Sequence, residues 1–245
     1  DETILEDDTL IILDNLTDIN IINGLKLFGS SQSKYNIIAI TSKSLLNKFK
    51  AEELQFRGMF PMSFEEYLIA HNERTMAELI RESYNKRKTC PFHKVALDLF
   101  QRYLITGGMP EVVLRYVETN NIQEVVTTQK SILELYKKDI SKYDPNNKLY
   151  LEDIFNLIPS ELNSKNKRFI LKNLNENFKF SRYEHSFIWL KDAGVALPTY
   201  CASEPLLPLL LSKSTNLFKL FMSDVGLLAA MYADGLQMKL LMNEI

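Results

Sequence analysis

The first side chains able to do chemistry are Asp14 and Asn15, which close the run Thr9-Leu10-Ile11-Ile12-Leu13. Four consecutive aliphatic residues ending in an acid read as a parallel strand buried on both faces. The carboxylate then sits at the strand's C-terminal end, where open α/β sheets place their ligands. There it can hold a divalent cation through water. The amide of Asn15 can orient a water but cannot take its proton as a carboxylate would. A second aliphatic run, Asn36-Ile37-Ile38-Ala39-Ile40, ends in the hydroxyls of Thr41 and Ser42. If the two strands are neighbours, those hydroxyls reach the same edge as Asp14. The blander readings are that Asp14 caps the next turn and that Thr41 and Ser42 bond local backbone.

A second candidate is electrostatic. Residues 163–182 contain Lys165, Lys167, Arg168, Lys172, Lys179 and Arg182 against Glu176 alone, a local net charge of +5. On a helix-turn-helix scaffold such a patch is the footprint of duplex DNA. It also suits a solvated face or a dock for an acidic neighbour. The whole chain carries a net charge of only −2, so any nucleic-acid or membrane affinity must come from a local patch.

Other chemistries find little support. His71, His93 and His185 are scattered, with no acid or cysteine at ligand spacing, and Cys90 and Cys201 show no metal-ligand spacing. Two reduced thiols suit a cytoplasmic protein. No apolar run reaches the ~18 residues of a membrane span. The first ten residues carry five acids, unlike a signal peptide.

The elements that must position these groups follow from period and punctuation. Apolar residues at Ile19, Ile22, Leu25 and Phe28 predict a helix between the two strands, hence one βαβ unit. Residues 54–60 could add a short third strand, stopped by Pro61. Ser63-Phe64-Glu65-Glu66 is a capping box opening a helix through Ala70. Helical patterns follow over residues 74–87, 91–106, 110–118 and 121–140. Gly107-Gly108-Met109-Pro110 reads as a tight corner that ends one helix and starts the next. Tyr143-Asp144-Pro145-Asn146-Asn147 is polar and turn-rich, the best boundary. Beyond it a helix over 149–162 is expected, then one opened by a capping box at Ser181 and Glu184. Tyr183, Phe187 and Leu190 face inward on it, and Gly194 ends it. Residues 195–200 and 206–211 would pair as short strands, with Pro205 and Pro208 making the second an edge. A last apolar helix is expected over 218–232. The fold class is thus α/β then mostly α.

Five stretches in register carry a resemblance. They are Leu10-Ile11-Ile12-Leu13-Asp14-Asn15, Phe60-Pro61-Met62-Ser63-Phe64-Glu65-Glu66-Tyr67-Leu68 and Tyr103-Leu104-Ile105-Thr106-Gly107-Gly108-Met109-Pro110-Glu111, then Trp189-Leu190-Lys191-Asp192-Ala193-Gly194 and Phe218-Lys219-Leu220-Phe221-Met222-Ser223-Asp224-Val225-Gly226-Leu227-Leu228. Together they resemble a prokaryotic AAA-type P-loop ATPase family with a winged-helix region and a C-terminal domain of unknown function. The resemblance implies a partial P-loop parallel sheet over 1–61, a helical lid-like region over 62–144, and a winged helix-turn-helix with a following helix over 145–245. It also implies ATP and magnesium as cofactors, with Asp14 as the Walker B acid acting on magnesium through water. Asn15 then stands where the family has a water-polarising Glu, and Thr41 and Ser42 at the sensor position. Duplex DNA is the implied partner of the basic segment; a protein partner or self-association is the alternative.

The chain departs from the family where it matters for turnover. No GxxxxGK[ST] loop precedes the first strand, and one Asp cannot hold MgATP without the backbone N–H groups and Lys of that loop. The expectation is therefore a fragment or degenerate relative with negligible nucleotide affinity of its own. Ile11, Leu13, Ile38 and Ile40 should remain in a small sheet, with 54–60 irregular or paired with another chain.

Overall fold

In the computed structural model, the described residues are 9–25, 35–41, 55–143, 148–170, 173–174, 180–232, 237 and 239. Strand β1 (Leu10–Leu16) pairs in parallel with β2 (Asn36–Thr41), and helix α1 (Ile19–Gly24) lies between them in the chain. The register runs from Leu10 opposite Asn36 to Leu13 opposite Ala39, shifts, and resumes with Leu16 opposite Thr41. The predicted small sheet is present. Its burial is not as expected. Leu10, Ile12, Ile38 and Ile40 are each about half exposed on one face, and Ile11 and Leu13 are only partly covered on the other. A parallel pair needs cover on both faces, and a six-residue helix is too short to supply it. Residues 55–60 are irregular, with Met59 and Phe60 open to solvent.

The helical part follows the predicted punctuation closely. Helix α2 (Phe64–Ala70) opens on the capping box: the Glu66 N–H donates to Ser63 Oγ at 3.3 Å, and the Ser63 N–H donates to Glu66 Oε2 at 2.7 Å. Those bonds from Ser63 hold the Glu66 carboxyl below its ordinary range. Helices α3 (Arg74–Asn85), α4 (His93–Thr106), α5 (Pro110–Thr119) and α6 (Ile122–Tyr143) come next. Pro110 occupies the first turn of α5, where its missing N–H costs nothing.

Helix α7 (Lys148–Asn163) is followed by a turn, by α8 (Phe180–Asp192), and by an antiparallel hairpin of β3 (Ala196–Ala202) and β4 (Lys213–Met222). Helix α8 begins at Phe180, so Ser181 lies inside it instead of capping it. Tyr183, Phe187 and Leu190 are buried as their spacing predicted, and Gly194 takes the left-handed backbone (φ 72°) that ends the helix. The partner of β3 is a correction. Residues 206–211 form no strand, because Pro205 and Pro208 remove the donors a ladder needs. They form a loop closing in a 3₁₀ turn, Leu209–Ser212. The partner is residues 213–222, which takes 218–222 out of the expected last helix. Phe218, Leu220 and Met222 are buried while Lys219 and Phe221 are not, the alternation of a strand. Only α9 (Val225–Tyr232) remains of the expected last helix.

The main core draws on α2, α5, α6, α7, α8, β3, β4 and α9, with Tyr67, Val113, Ile140, Phe155, Leu190, Leu220 and Leu227 among its members. It therefore takes in residues on both sides of 144–147, which lie outside the described residues. Leu68, Met76, Ala77 and Ala96 make a small satellite cluster under α2–α4. Among the described residues, none of β1, α1 or β2 belongs to either.

Candidate functional site

Asp14 and Thr41 do come to the same end of the β1–β2 pair, at the register shift. Asp14 is engaged by its own neighbour and Thr41 across the strand pair. Asp14 Oδ1 accepts the Asn15 N–H at 2.7 Å, and Thr41 Oγ1 donates to the Leu16 carbonyl at 2.7 Å. Asn15 has left-handed backbone (φ 53°), which an Asn tolerates, and both Asp14 and Asn15 are exposed. Ser42 lies outside the described residues. The arrangement is that of a capped strand end whose carboxylate keeps one oxygen free of the cap. No group of three metal-ligating side chains occurs among the described residues.

The basic segment is partly described. Lys165, Lys167 and Arg168 are all exposed on the turn that follows α7. Lys172 and Lys179 lie outside the described residues, and Arg182 falls in the first turn of α8 with its side chain outside them. The turn is anchored from beneath. Buried Glu161 accepts the Ile170 N–H at 2.8 Å and an Asn173 side-chain N–H at 2.6 Å. Phe169 donates its N–H to the Phe218 carbonyl at 3.0 Å and packs on the Phe218 and Phe187 rings. The cations thus ride on a fixed turn beside the hairpin. Glu161 gave no signal in the sequence, where it looks like one more solvated helix charge.

At the far end of the hairpin, Leu206, Leu207, Leu209, Leu210 and Leu211 are 50% to 88% exposed. Their loop is closed by the Ser203 N–H to the Ser212 carbonyl at 2.9 Å and by Ser212 Oγ to the Glu204 carbonyl at 2.9 Å. Lys213, the cation nearest in sequence, sits over the Tyr200 ring at 3.6 Å. The outer face of α8 mixes Glu184, His185, Ile188 and Lys191, all exposed.

Three of the five distinctive stretches meet at one buried joint. Asp224, 2% exposed, accepts the Gly108 N–H at 2.6 Å through Oδ2 and the Leu227 N–H at 2.8 Å through Oδ1. The Met62 N–H donates to the Gly108 carbonyl at 2.6 Å, and the Tyr103 hydroxyl donates to the Met62 carbonyl at 2.9 Å. No side chain fits here. A Cβ on Gly107 (φ 77°) would fall 2.2 Å from Asp224 Oδ1, and one on Gly108 would fall 2.0 Å from the Met62 carbonyl oxygen. The glycine doublet is the corner its sequence predicted, but the cause is close approach of other chain segments as well as the turn. Burial pushes the Asp224 carboxyl above its ordinary range, opposed in part by the N–H groups of Gly108, Leu227 and Gly226. This carboxylate ties the α4–α5 corner to the start of α9, and the Met62–Gly108 bond adds the segment before α2. The sequence signal that could have found it is Asp three residues before Leu227, an N-cap spacing.

Among the described residues, no helix is long and apolar enough to cross a membrane. Residues 97–239 match a family described as a domain of unknown function (DUF8612). That span is more than half of the 245 residues. It includes Tyr103, Gly108 and Asp224 of the joint, the basic turn and the hairpin, and leaves out Met62, Asp14 and Thr41. No curated protein and no solved structure matches the chain.

Proposed function

We propose that this chain, which belongs to the DUF8612 family, is a binding module related to AAA-type ATPases that docks a protein partner through its hairpin tip and does not turn over nucleotide unaided. The observation that carries the reading is the cluster of exposed leucines at 206–211. Each would contribute about 1.5–3 kcal/mol on full burial, and clustered exposed apolar side chains mark interaction sites. The order α7, turn, α8, hairpin is that of a winged helix, in which these leucines occupy the wing. A wing that follows phosphates needs Lys or Arg at its tip. This one offers leucine.

The relation to AAA-type ATPases is supported by the parallel β1–β2 pair with Asp14 and Thr41 at one end. Asp14 bonds the next residue's backbone and Thr41 bonds the Leu16 carbonyl of the paired strand, which fits a remnant of a magnesium-nucleotide site better than a working one. Recovery of a tagged chain from the cells that make it tests the docking reading. A partner should co-purify in stoichiometric amount with the native protein and be lost with Leu207→Asp/Leu210→Asp. Equal recovery with both proteins contradicts it.

A second reading has its own observation. Lys165, Lys167 and Arg168 are exposed and without an ion pair among the described residues, on a turn held rigid by Glu161. Duplex DNA would bind there through phosphates, and its affinity would fall steeply with salt.

A further inference from the structure

We infer that the corner between α3 and α4 is a binding site for single-stranded nucleic acid, a surface separate from the hairpin tip and from the turn after α7. Helix α3 closes with Arg87 in left-handed backbone (φ 51°), the Arg87 N–H on the Tyr84 carbonyl at 3.1 Å and the Lys88 N–H on the Ser83 carbonyl at 3.0 Å. Helix α4 opens just after Phe92, also left-handed (φ 58°) and with no side-chain cap. Left-handed backbone is unfavourable for any residue with a Cβ, and glycine or asparagine is the usual choice at a helix end. Here an arginine and a phenylalanine hold it, and neither offsets the strain by burying its side chain: Arg87 is exposed and Phe92 is 69% exposed. Strain kept at solvent-facing residues points to a use for their side chains.

The neighbours suggest the use. Tyr84 is 83% exposed, and an open surface hollow lies beside it, lined by Ser83, Tyr84, Asn85, Arg87 and Lys88. Residues 84–94 carry Lys86, Arg87, Lys88 and Lys94 and no acid. Lys86 pairs with Glu82, while Arg87, Lys88 and Lys94 have no ion pair among the described residues. Cations at the C-terminal end of α3 complement its dipole. That accounts for lysine and arginine there, but not for open aromatic rings. Rings that stand free beside unpaired cations match an unpaired nucleotide, whose base stacks while its phosphate is neutralised. A duplex keeps its base faces stacked inside and cannot use them.

Fluorescence anisotropy tests the site with labelled oligo-dT and oligo-rU of about fifteen nucleotides, a duplex of the same length, and a poly-glutamate peptide. The protein would carry Lys165→Ala, Lys167→Ala and Arg168→Ala to silence the other basic turn. Both single strands should bind in preference to the duplex and the peptide, with a log–log salt slope near −2, from three phosphates at about −0.7 each. Tyr84→Ala should weaken binding by about fivefold to a hundredfold. Arg87→Ala/Lys88→Ala should flatten the slope by about 1.4. All these positions are exposed, so the fold is retained, which circular dichroism verifies. Equal affinity for duplex or peptide, no effect of Tyr84→Ala, or no saturable binding at about 50 mM salt would each overturn the assignment.

Discussion

Replacing Asp224 by Ala should be among the most damaging single changes outside the apolar core. Its carboxylate is the acceptor for the Gly108 and Leu227 N–H groups, and all three groups are buried. A buried donor left without a partner costs about 1–3 kcal/mol, and loss of a helix cap alone costs about 0.5–2 kcal/mol. With two donors orphaned, one of them the cap of α9, the sum is about 2–5 kcal/mol. That is a large share of the roughly 5–15 kcal/mol that holds a domain folded. Urea unfolding would register it as a fall in midpoint of about 1–2.5 M at a slope of about 2 kcal/mol/M. Gly107→Ala drives a Cβ to 2.2 Å from Asp224 Oδ1 and should be comparably harmful. The two changes share one space, so the double variant should cost less than the sum of the singles. The sign with pH is also set. The folded carboxyl titrates above its ordinary 3.8, so stability is fully present below that value and is lost as pH rises through the folded pKa. The native protein's advantage over Asp224→Asn should therefore shrink from pH 3.8 upward. Its charge also reaches Tyr103 and Tyr136, whose hydroxyls are pushed up chiefly by burial. A loss below about 1 kcal/mol for Asp224→Ala, or strict additivity with Gly107→Ala, would refute the joint as described.

Three further outcomes are expected. Ser63→Ala should destabilise by about 0.5–2 kcal/mol in chemical unfolding, because it removes the side-chain half of the α2 capping box. Isothermal titration with MgATP should give no saturable binding below millimolar concentration; tight binding abolished by Asp14→Ala would mean that the strand end is a working nucleotide site. Should duplex DNA bind the turn after α7, changing Lys167 and Arg168 to Ala ought to lower the salt slope by about two, at roughly 0.9 per phosphate, and weaken unrelated duplexes alike.

Local rules account for most of what was legible beforehand. The capping box at Ser63, Pro110 at a helix start and the inward face of Tyr183, Phe187 and Leu190 depend on neighbours three or four residues away, and each is found as spaced. The strand over 213–222 was not legible, since Leu217-Phe218-Lys219-Leu220-Phe221-Met222 is nearly continuous in apolar character and fits either period. Its strand identity comes from pairing with residues 196–202, a tertiary choice. The Asp224 joint was hidden for the same reason: its Gly108 bond spans 116 positions. At the candidate sites, residue type could be read but occupation could not. Asp14 and Thr41 were recognisable as strand-end polar groups; that Thr41 is tied across the pair to the Leu16 carbonyl, and Asp14 to the Asn15 N–H, is a matter of bulge and register. The leucines at 206–211 read as an edge strand, and only the departure of β4 to a later segment left them at a loop tip.

The central claim is that those leucines meet a protein. A photo-crosslinking amino acid at Leu207, the most exposed of them at 88%, tests it most directly in the cells that make the chain. The account predicts one adduct of defined mass, lost when Leu210 and Leu211 become Asp and unaffected when Lys165, Lys167 and Arg168 become Ala. A diffuse smear, or an adduct indifferent to the leucines, would contradict it.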